Sequence, residues 1–572
     1  MKKIKLKITV ALVCVAIALG AACATTGIVL GGVNASGVRA NAEIAEFFHD
    51  QGYLFMEPLE PSATDSVTYR IRVEKGSITA ATLRYTLDVE QTYAKSDEHP
   101  DGARYTDVKM VYDRIDDTGY YEYWKGVVPA QSSPYYYHFK LENKKETLYV
   151  NGPTSFSEDK PFSNIKNDWY VMPGFSTPAW SQGATWYSIM PDSFYNGDVT
   201  NDKYSDNGVY QNPWGVNHSS GASYVGGDLQ GIMDKLDYIK QFNVTGLFVN
   251  PIWTSTHNAG YGAYDLYQID PSFGNEQKLF ELVNTMHEND IKVMLDGVFR
   301  YLHSDSVLIN NSSYFPFAGG VNSTSPYYDM FQRNDKGELI YDWGQPIFDF
   351  SDPDVRNYIY RNEDSVMQYY LRKFDIDGWR LDAGQSLSGS SETEYGTVES
   401  ILKDMRAYVK SCGEDKLFLS EHGDGALLYD YTLDAKWGHG NFAAPTRQFL
   451  KGHTNVRSLL STLYSGVTRL PRSVANSNYN YTANHDYSRT AYAAGNDLHR
   501  ILTGNLLTFT YVGSTCIYFG DEVGIYEQPN LGVTGGDEEG AAPTSFGPFN
   551  WDESTWNYRI YRQTRALGEM RE

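Results

Sequence analysis

Eight short apolar runs, several followed by a helical pattern, occupy the chain from residue 183 onward and leave it few folds to adopt. They are TWYSIM (185–190), VTGLFVN (244–250), IKVMLDGVF (291–299), IDGWRLDA (376–383), KLFLSEH (416–422), LDAKWGH (433–439), NYNYTANHD (478–486) and STCIYFGDE (514–522). Between several of them lie amphipathic patterns: LQGIMDKLDYIKQF, QKLFELVNTMHEND, VRNYIYRNEDSVMQYYLRKF and VESILKDMRAYVKSC. Short continuous apolar runs read as strands buried on both faces. Strand–helix alternation repeated eight times predicts a (β/α)8 barrel over 183–572. Residues 300–353, rich in Ser, Asn, Asp, Pro and aromatics, form a long excursion after the third strand and read as an inserted subdomain.

Upstream the rhythm has period two. VTYRIRVE, ATLRYTLDVE, YYEYWKGVV, YYYHFKLE and TLYVNG alternate, with turn residues such as DDTG at 116–119 between them. That pattern predicts an all-β, immunoglobulin-like sandwich over 43–165, joined to the barrel by a linker at 166–182. Binding glucan, guiding oligomerisation and bracing the barrel all remain open roles for it.

The first residues carry Lys2, Lys3, Lys5 and Lys7, and Ile8 to Leu30 hold no charge. A basic start before an apolar run is an export signal. The run also reaches the ~20 residues that span a bilayer, so residues 1–42 are either a signal peptide cleaved after Ala40-Asn41-Ala42 or a retained membrane anchor. Extracellular or cell-surface location is the expectation. Two of the four cysteines lie in this leader, which leaves Cys412 and Cys516 and no disulfide framework. A formal charge of −23 repels phosphate backbones and makes nucleic acid a poor partner. Aromatics reach 15%. Most serve core packing, and a neutral carbohydrate is the partner that would use the rest, its C–H faces packing on aromatic rings.

Barrel chemistry sits at the C-terminal ends of the strands. Asp296 falls at the third, Arg380 and Asp382 at the fourth, Glu421 at the fifth, and His485 with Asp486 at the seventh. Acids converging on one rim repel and lose hydration, so several together favour function over structure. Two carboxyl groups flanking a glycosidic bond are the hydrolysis machinery: one attacks or activates water, the other protonates the leaving oxygen. Arg380 is two residues from Asp382, on the same strand face, and can keep that carboxylate ionised. Separately, Asn196, Asp198, Asn201 and Asp202 cluster four oxygen-bearing side chains in one loop, and Gly226 and Asp228 follow. This is either a polar turn or a site for a hard cation such as Ca2+.

At these residues the chain resembles the α-amylase family (glycoside hydrolase family 13), most of all its neopullulanase and cyclomaltodextrinase branch. WYSIMPDSFYNGD, GGDLQGIMDKLDYI, VMLDGVF, DGWRLDA, LSEH, ANHD and IYFGDE stand in the family's order between Gly183 and Glu553. The resemblance implies Asp382 as nucleophile, Glu421 as general acid/base and Asp486 as the third carboxylate supporting the distorted sugar. It also implies Arg380 and His485 around the cleaved sugar and Tyr261 stacked on it, with Asp296 and Tyr301 as secondary positions. It implies a retaining mechanism on an α-glucan such as starch, maltodextrin, cyclodextrin or pullulan. A structural Ca2+ held by Asn196, Asp198, Asn201, Asp202, Asp228 and the Gly226 carbonyl is implied as well. Transglycosylation and a non-catalytic glucan-binding role stay as alternatives; the three retained carboxylates argue against the latter.

The sequence departs from the family in three places. Arg300 and Tyr301 replace the usual Asn and His after Asp296, and Ala383-Gly384-Gln385-Ser386 follows the nucleophile position in place of the usual contacts to the leaving sugar. A guanidinium has no lone pair for a cation, so no calcium is expected at Arg300, which instead pairs with Asp305, Asp329 or Asp342. Finally, the chain ends within the helical pattern NYRIYRQTRALGEMRE, where family members continue into a C-terminal β domain that is missing here.

Overall fold

The computed structural model describes residues 44, 46–89, 103–152, 156–158, 168–202, 210–211, 214, 223–255, 259–309, 320–390, 397–421, 431–468, 470–526 and 547–571. The leader at 1–42 lies outside the described residues. The chain divides into two units, residues 1–176 with 464–472, and residues 177–463 with 473–572.

The first unit is built on two antiparallel sheets. One contains Phe47–Phe48, Met56–Glu57, Val67–Glu74, Val111–Ile115 and Tyr121–Val128. The other contains Ala80–Thr86, Thr106–Lys109, Tyr135–Glu142, Thr147–Val150, Phe156–Glu158 and Trp169–Val171. Val67–Glu74 alternates buried and half-buried residues along its length, as its sequence predicts. Tyr69, Ile71, Leu83, Tyr137, Phe139 and Trp169 meet in the core between the sheets. One boundary needs correction. Trp169–Val171, assigned by its Pro/Gly-rich surroundings to the linker at 166–182, pairs antiparallel with Tyr135–Tyr137 and belongs to the sandwich.

The second unit is a ring of eight parallel strands: β1 (Thr185–Ile189), β2 (Gly246–Val249), β3 (Lys292–Gly297), β4 (Gly378–Leu381), β5 (Leu417–Ser420), β6 (Ala435–Lys436), β7 (Tyr479–Asn480) and β8 (Ser514–Tyr518). Hydrogen bonding runs β6-β5-β4-β3-β2-β1-β8-β7. The remaining gap is bridged at Trp437 and Tyr479, where Gly438 N–H also donates to the Tyr479 carbonyl at 2.7 Å. Every strand lies within its predicted run, so the barrel is the fold the alternation requires. Of the helices, Val398–Cys412 follows its pattern from end to end. The pattern at 355–374 does not form one helix. Pro353–Arg356 and Asn357–Arg361 are followed by a turn at 362–365, and Val366–Lys373 resumes beyond it. The excursion after β3 folds back on itself through the pairs Tyr301↔Ile347, Phe331↔Phe348 and Arg333↔Leu339.

Beyond β8, Glu522 is buried and accepts hydrogen bonds from the Tyr187 and Tyr238 hydroxyls, both at 2.7 Å. It ties β1 and the helical turn at Leu236–Ile239 to the last strand. Burial pushes its carboxyl from 4.5 up to about 7. A carboxyl raised on folding contributes stability that is complete below its unfolded value and lost as pH rises through its folded one. Glu522→Gln is therefore expected to be the more stable protein at pH 8, by at most about 3 kcal/mol, and to lose the advantage near pH 4. Thermal unfolding of both proteins across pH 4–8 checks the slope.

Candidate active site

Strand register assembles the site. Asp296 in β3 is the cross-strand partner of Arg380 in β4, and both side chains point into the barrel at its C-terminal end. Arg380 is completely buried, with its guanidinium carbon 4.1 Å from the centre of the Trp437 ring. Its Nη1 donates to Asp296 Oδ1 at 2.6 Å and to Asp382 Oδ1 at 2.9 Å. Its Nη2 lies 3.1 Å from Glu421 Oε2. One guanidinium thus gathers the carboxylates carried at the ends of three successive strands.

The backbone supports this cluster. Asp382 and Glu421 continue the strand ladder, their N–H groups donating to Gly297 and Leu381 carbonyls at 3.0 Å each. Directly after Asp382 the chain turns through Ala383 at φ 46°, a left-handed conformation uncommon for a residue with a side chain. The turn aims the Ala383 N–H at Glu421 Oε2, 2.9 Å away. Ala383 is a site residue that side-chain chemistry alone could not reveal.

A second group stands beside the first. The Tyr261 hydroxyl donates to Asp296 Oδ2 at 2.7 Å and lies 2.7 Å from His485 Nε2. The two rings stack at 5.5 Å. Asn250, directly after β2, reaches the Tyr261 hydroxyl at 3.0 Å and His485 Nδ1 at 3.1 Å. A polar residue closing an apolar strand run is its signal in the sequence. Asp486 is more open, its side chain 46% exposed and 3.5 Å from His485. Tyr301 is buried within the field of Asp382, Asp296, Asp342 and Glu421, and burial with those charges pushes its hydroxyl well above 10.

Electrostatics follow from burial. Desolvation drives Asp382 well above the ordinary carboxylate range, opposed by Arg380 and reinforced by Glu421, Asp296 and Asp486. Asp296 shifts in the same direction for the same reason. Several carboxyls around one cation cannot all ionise at no cost, which is why both groups move upward despite Arg380. Burial and the nearby Arg380 lower His485 to about 4, so its imidazole is neutral at ordinary pH.

The loop at 196–202 lies against the start of the helix Leu229–Asp234. Asp228 caps that helix, accepting from Gly231 N–H at 2.6 Å, and also receives the Asp198 N–H at 2.8 Å and the Asn201 amide at 3.2 Å. Asn196 donates to Asp202 at 2.8 Å. The side-chain oxygens of Asn196 and Asn201 are buried without a hydrogen-bond partner. Gly226, at φ 96°, gives its N–H to Asp192 at 3.0 Å. Among the described residues no three Asp, Glu, His or Cys side chains converge as metal ligands, so a cation here would depend on the two amide oxygens and a carbonyl. Away from both places, Arg300 donates to Asp342 at 2.7 Å, which selects one of the three acids expected for it.

Residues 188–558 match the model of the α-amylase catalytic domain. A cyclomaltodextrinase of Geobacillus thermopakistaniensis is 27% identical over 536 residues, covering 90% of this chain and 84% of its own. A maltogenic α-amylase of Bacillus acidopullulyticus is 27% identical over 472 residues, covering 79% and 73%. Among solved structures, a cyclomaltodextrinase superposes with a TM-score of 0.64 at 24% identity, over 92% of this chain and 84% of the other.

Proposed function

The chain belongs to the α-amylase family of glycosidases, and from that premise we propose that it cleaves α-glucosidic bonds of maltodextrin, cyclodextrin or pullulan type substrates with retention of configuration. The observation that carries this reading is the single buried Arg380 holding Asp382 and Glu421 on its two terminal nitrogens. Sharing one guanidinium keeps the two carboxyls close, as retaining pairs need, about 5–5.5 Å apart.

Asp382 attacks the anomeric carbon. The bond to the leaving oxygen breaks as Glu421 delivers its proton there, and a glucosyl–Asp382 ester forms. Water, deprotonated by Glu421, then releases the sugar and restores both groups. The acid role needs a proton on Glu421 when the bond breaks, and the direct hydrogen bond from Arg380 favours the ionised form of the nucleophile Asp382. Tyr261 and the neutral His485 border the bound sugar, with Asn250 and Asp296 fixing their orientation. Asp486, the most open of the acids, supports the distorted ring. The name of one relative, a cyclomaltodextrinase, favours cyclic maltodextrins. Reducing-sugar release from β-cyclodextrin, maltoheptaose and pullulan, with product analysis on pullulan, tests the reading; no release from any of them would sink it. The leader directs the chain to the cell surface or beyond, and fractionation of the producing cells decides that point.

The loop at 196–202 fits a structural Ca2+. Asn196 and Asn201, through the two unpartnered amide oxygens, and the Gly226 carbonyl would hold it, with Asp198, Asp202 and Asp228 supplying negative charge beside them. Its contribution is to stability, since no carboxylate of the catalytic cluster is among these donors. Chelation is expected to lower the thermal midpoint and added Ca2+ to restore it. Asp198→Ala/Asp202→Ala should unfold at one temperature whether or not metal is present. A metal-free wild-type protein whose melting curve is indifferent to added Ca2+ would rule the site out.

A further inference from the structure

Trp343 stands at the tip of a hairpin in the excursion after β3, and its local conformation is one that a tryptophan does not favour. Tyr341–Asp342 pairs antiparallel with Gln345–Pro346, leaving Trp343-Gly344 as a two-residue turn. Both turn residues have positive φ, 50° and 76°. Two-residue hairpins with positive φ at both positions are type I′ turns, which favour Asn-Gly, Asp-Gly or Gly-Gly because a larger side chain strains the first position. The ring gains little from the fold in return: Trp343 is 88% exposed, and the neighbouring Tyr341 is 52% exposed. A bulky apolar side chain with a local cost and almost no burial serves a contact made outside the fold.

The hairpin's anchorage indicates which contact. Asp342 receives the Arg300 guanidinium at 2.7 Å, and Pro346 accepts from Leu302 N–H at 3.3 Å. Tyr301, between them, bridges to Ile347 and faces the catalytic carboxylates. On the other side, a Cβ at Gly262 would lie 3.2 Å from the Gln345 amide nitrogen, and Gly262 directly follows Tyr261. The tip is therefore fixed to both segments that carry aromatic residues into the site. We propose that Trp343 is a sugar-stacking platform at the rim of the catalytic mouth, binding an α-glucan chain outside the residues that flank the cleaved bond. The ligand is a neutral pyranose whose C–H face covers the indole. The inference rests on the glucan-cleaving function proposed above.

Trp343→Asn tests it, because the substitution supplies the residue that the turn prefers. The thermal midpoint is expected to stay level or rise. KM for maltoheptaose is expected to rise about five- to tenfold, with a smaller rise for maltotriose, which is too short to span both places, and with little change in kcat. Trp343→Phe should recover part of the loss. Maltoheptaose binding in a Glu421→Gln background, read by tryptophan fluorescence, should weaken by a similar factor when Trp343→Asn is added. Equal KM values for wild type and Trp343→Asn, or equal losses on both sugars, overturn the platform. So does a wild-type dimer in sedimentation that Trp343→Asn dissociates without affecting glucan KM, since the partner would then be a second copy. If the wild type hydrolyses no α-glucan and the Glu421→Gln protein binds none, the proposed function falls and this inference with it. Hydrolysis with unchanged Trp343→Asn kinetics removes the platform alone.

Discussion

Asp382→Asn is expected to lower maltodextrin hydrolysis by about a thousandfold or more while raising the thermal midpoint at neutral pH. The two effects share one cause. Asp382 is half-buried against Arg380 but faces Glu421, Asp296 and Asp486, so its ionised form is held at a cost. That ionised form is the nucleophile. An amide keeps the acceptor oxygen for Arg380 and removes one negative charge from a crowded cluster. The sign can be followed with pH. A carboxyl whose folded pKa lies above its unfolded value destabilises increasingly as pH rises through the folded value, so the advantage of Asn should vanish near pH 4 and grow toward neutrality. The same shift should place the acid limb of wild-type activity above the ~3.9 of an ordinary aspartate, activity falling as Asp382 gains a proton. Glu421→Gln should lose a comparable share of turnover through loss of the proton donor, and with it any basic limb. Opposite movement of activity and stability separates a chemical role from a folding defect. Turnover within tenfold of wild type in a folded Asp382→Asn protein would exclude Asp382 as the nucleophile.

Much of this arrangement is legible in the amino-acid sequence, and the exceptions have physical causes. Barrel strands are buried on both faces, so they appear as unbroken apolar runs, and each of the eight is found within its run. Sandwich strands alternate where one face meets the core. Thr106–Lys109 and Val111–Ile115 escaped notice because they are edge strands and mostly exposed, with little buried face to impose a period. Trp169–Val171 is too short for periodicity and sits among turn formers, so only its pairing reveals it. The helix read across 355–374 breaks at Asn362-Glu363-Asp364-Ser365, a polar cluster whose breaking signal was outweighed by the apolar pattern on either side. In the site, residues with chemistry of their own could be read from strand ends. Asn250 left only a polar strand end as its sign, and Trp437 and Ala383 left none, since they act by covering or turning toward the others, and those roles exist only once the strands close into a ring.

Arg380→Met is expected to destabilise the protein by about 3–5 kcal/mol at neutral pH, a larger effect than loss of any single acid. Methionine fills the stem of the side chain but reaches only as far as the arginine Nε, so the charged fork over Trp437 is what is lost. What remains is the buried Asp296 beside the half-buried Asp382 and Glu421, with the cation that joined them removed. They respond by holding protons to higher pH. The folded pKa values of Asp296 and Asp382 then rise further above their unfolded values near ~4, and stability is lost progressively as pH increases through the raised values. The deficit of Arg380→Met relative to wild type should therefore be small near pH 4 and grow steadily to pH 8, which thermal unfolding across that range would measure. Activity should fail at every pH: where the fold survives, Asp382 is protonated and cannot attack. Arg380→Lys makes the comparison sharper. An ammonium restores one positive charge but cannot span two carboxylates as a fork does, so stability should recover in part while turnover stays low. A deficit in Arg380→Met that is the same at pH 4 and pH 8 would mean that the residue supports the barrel by packing, and that the carboxylates do not depend on it for their charge.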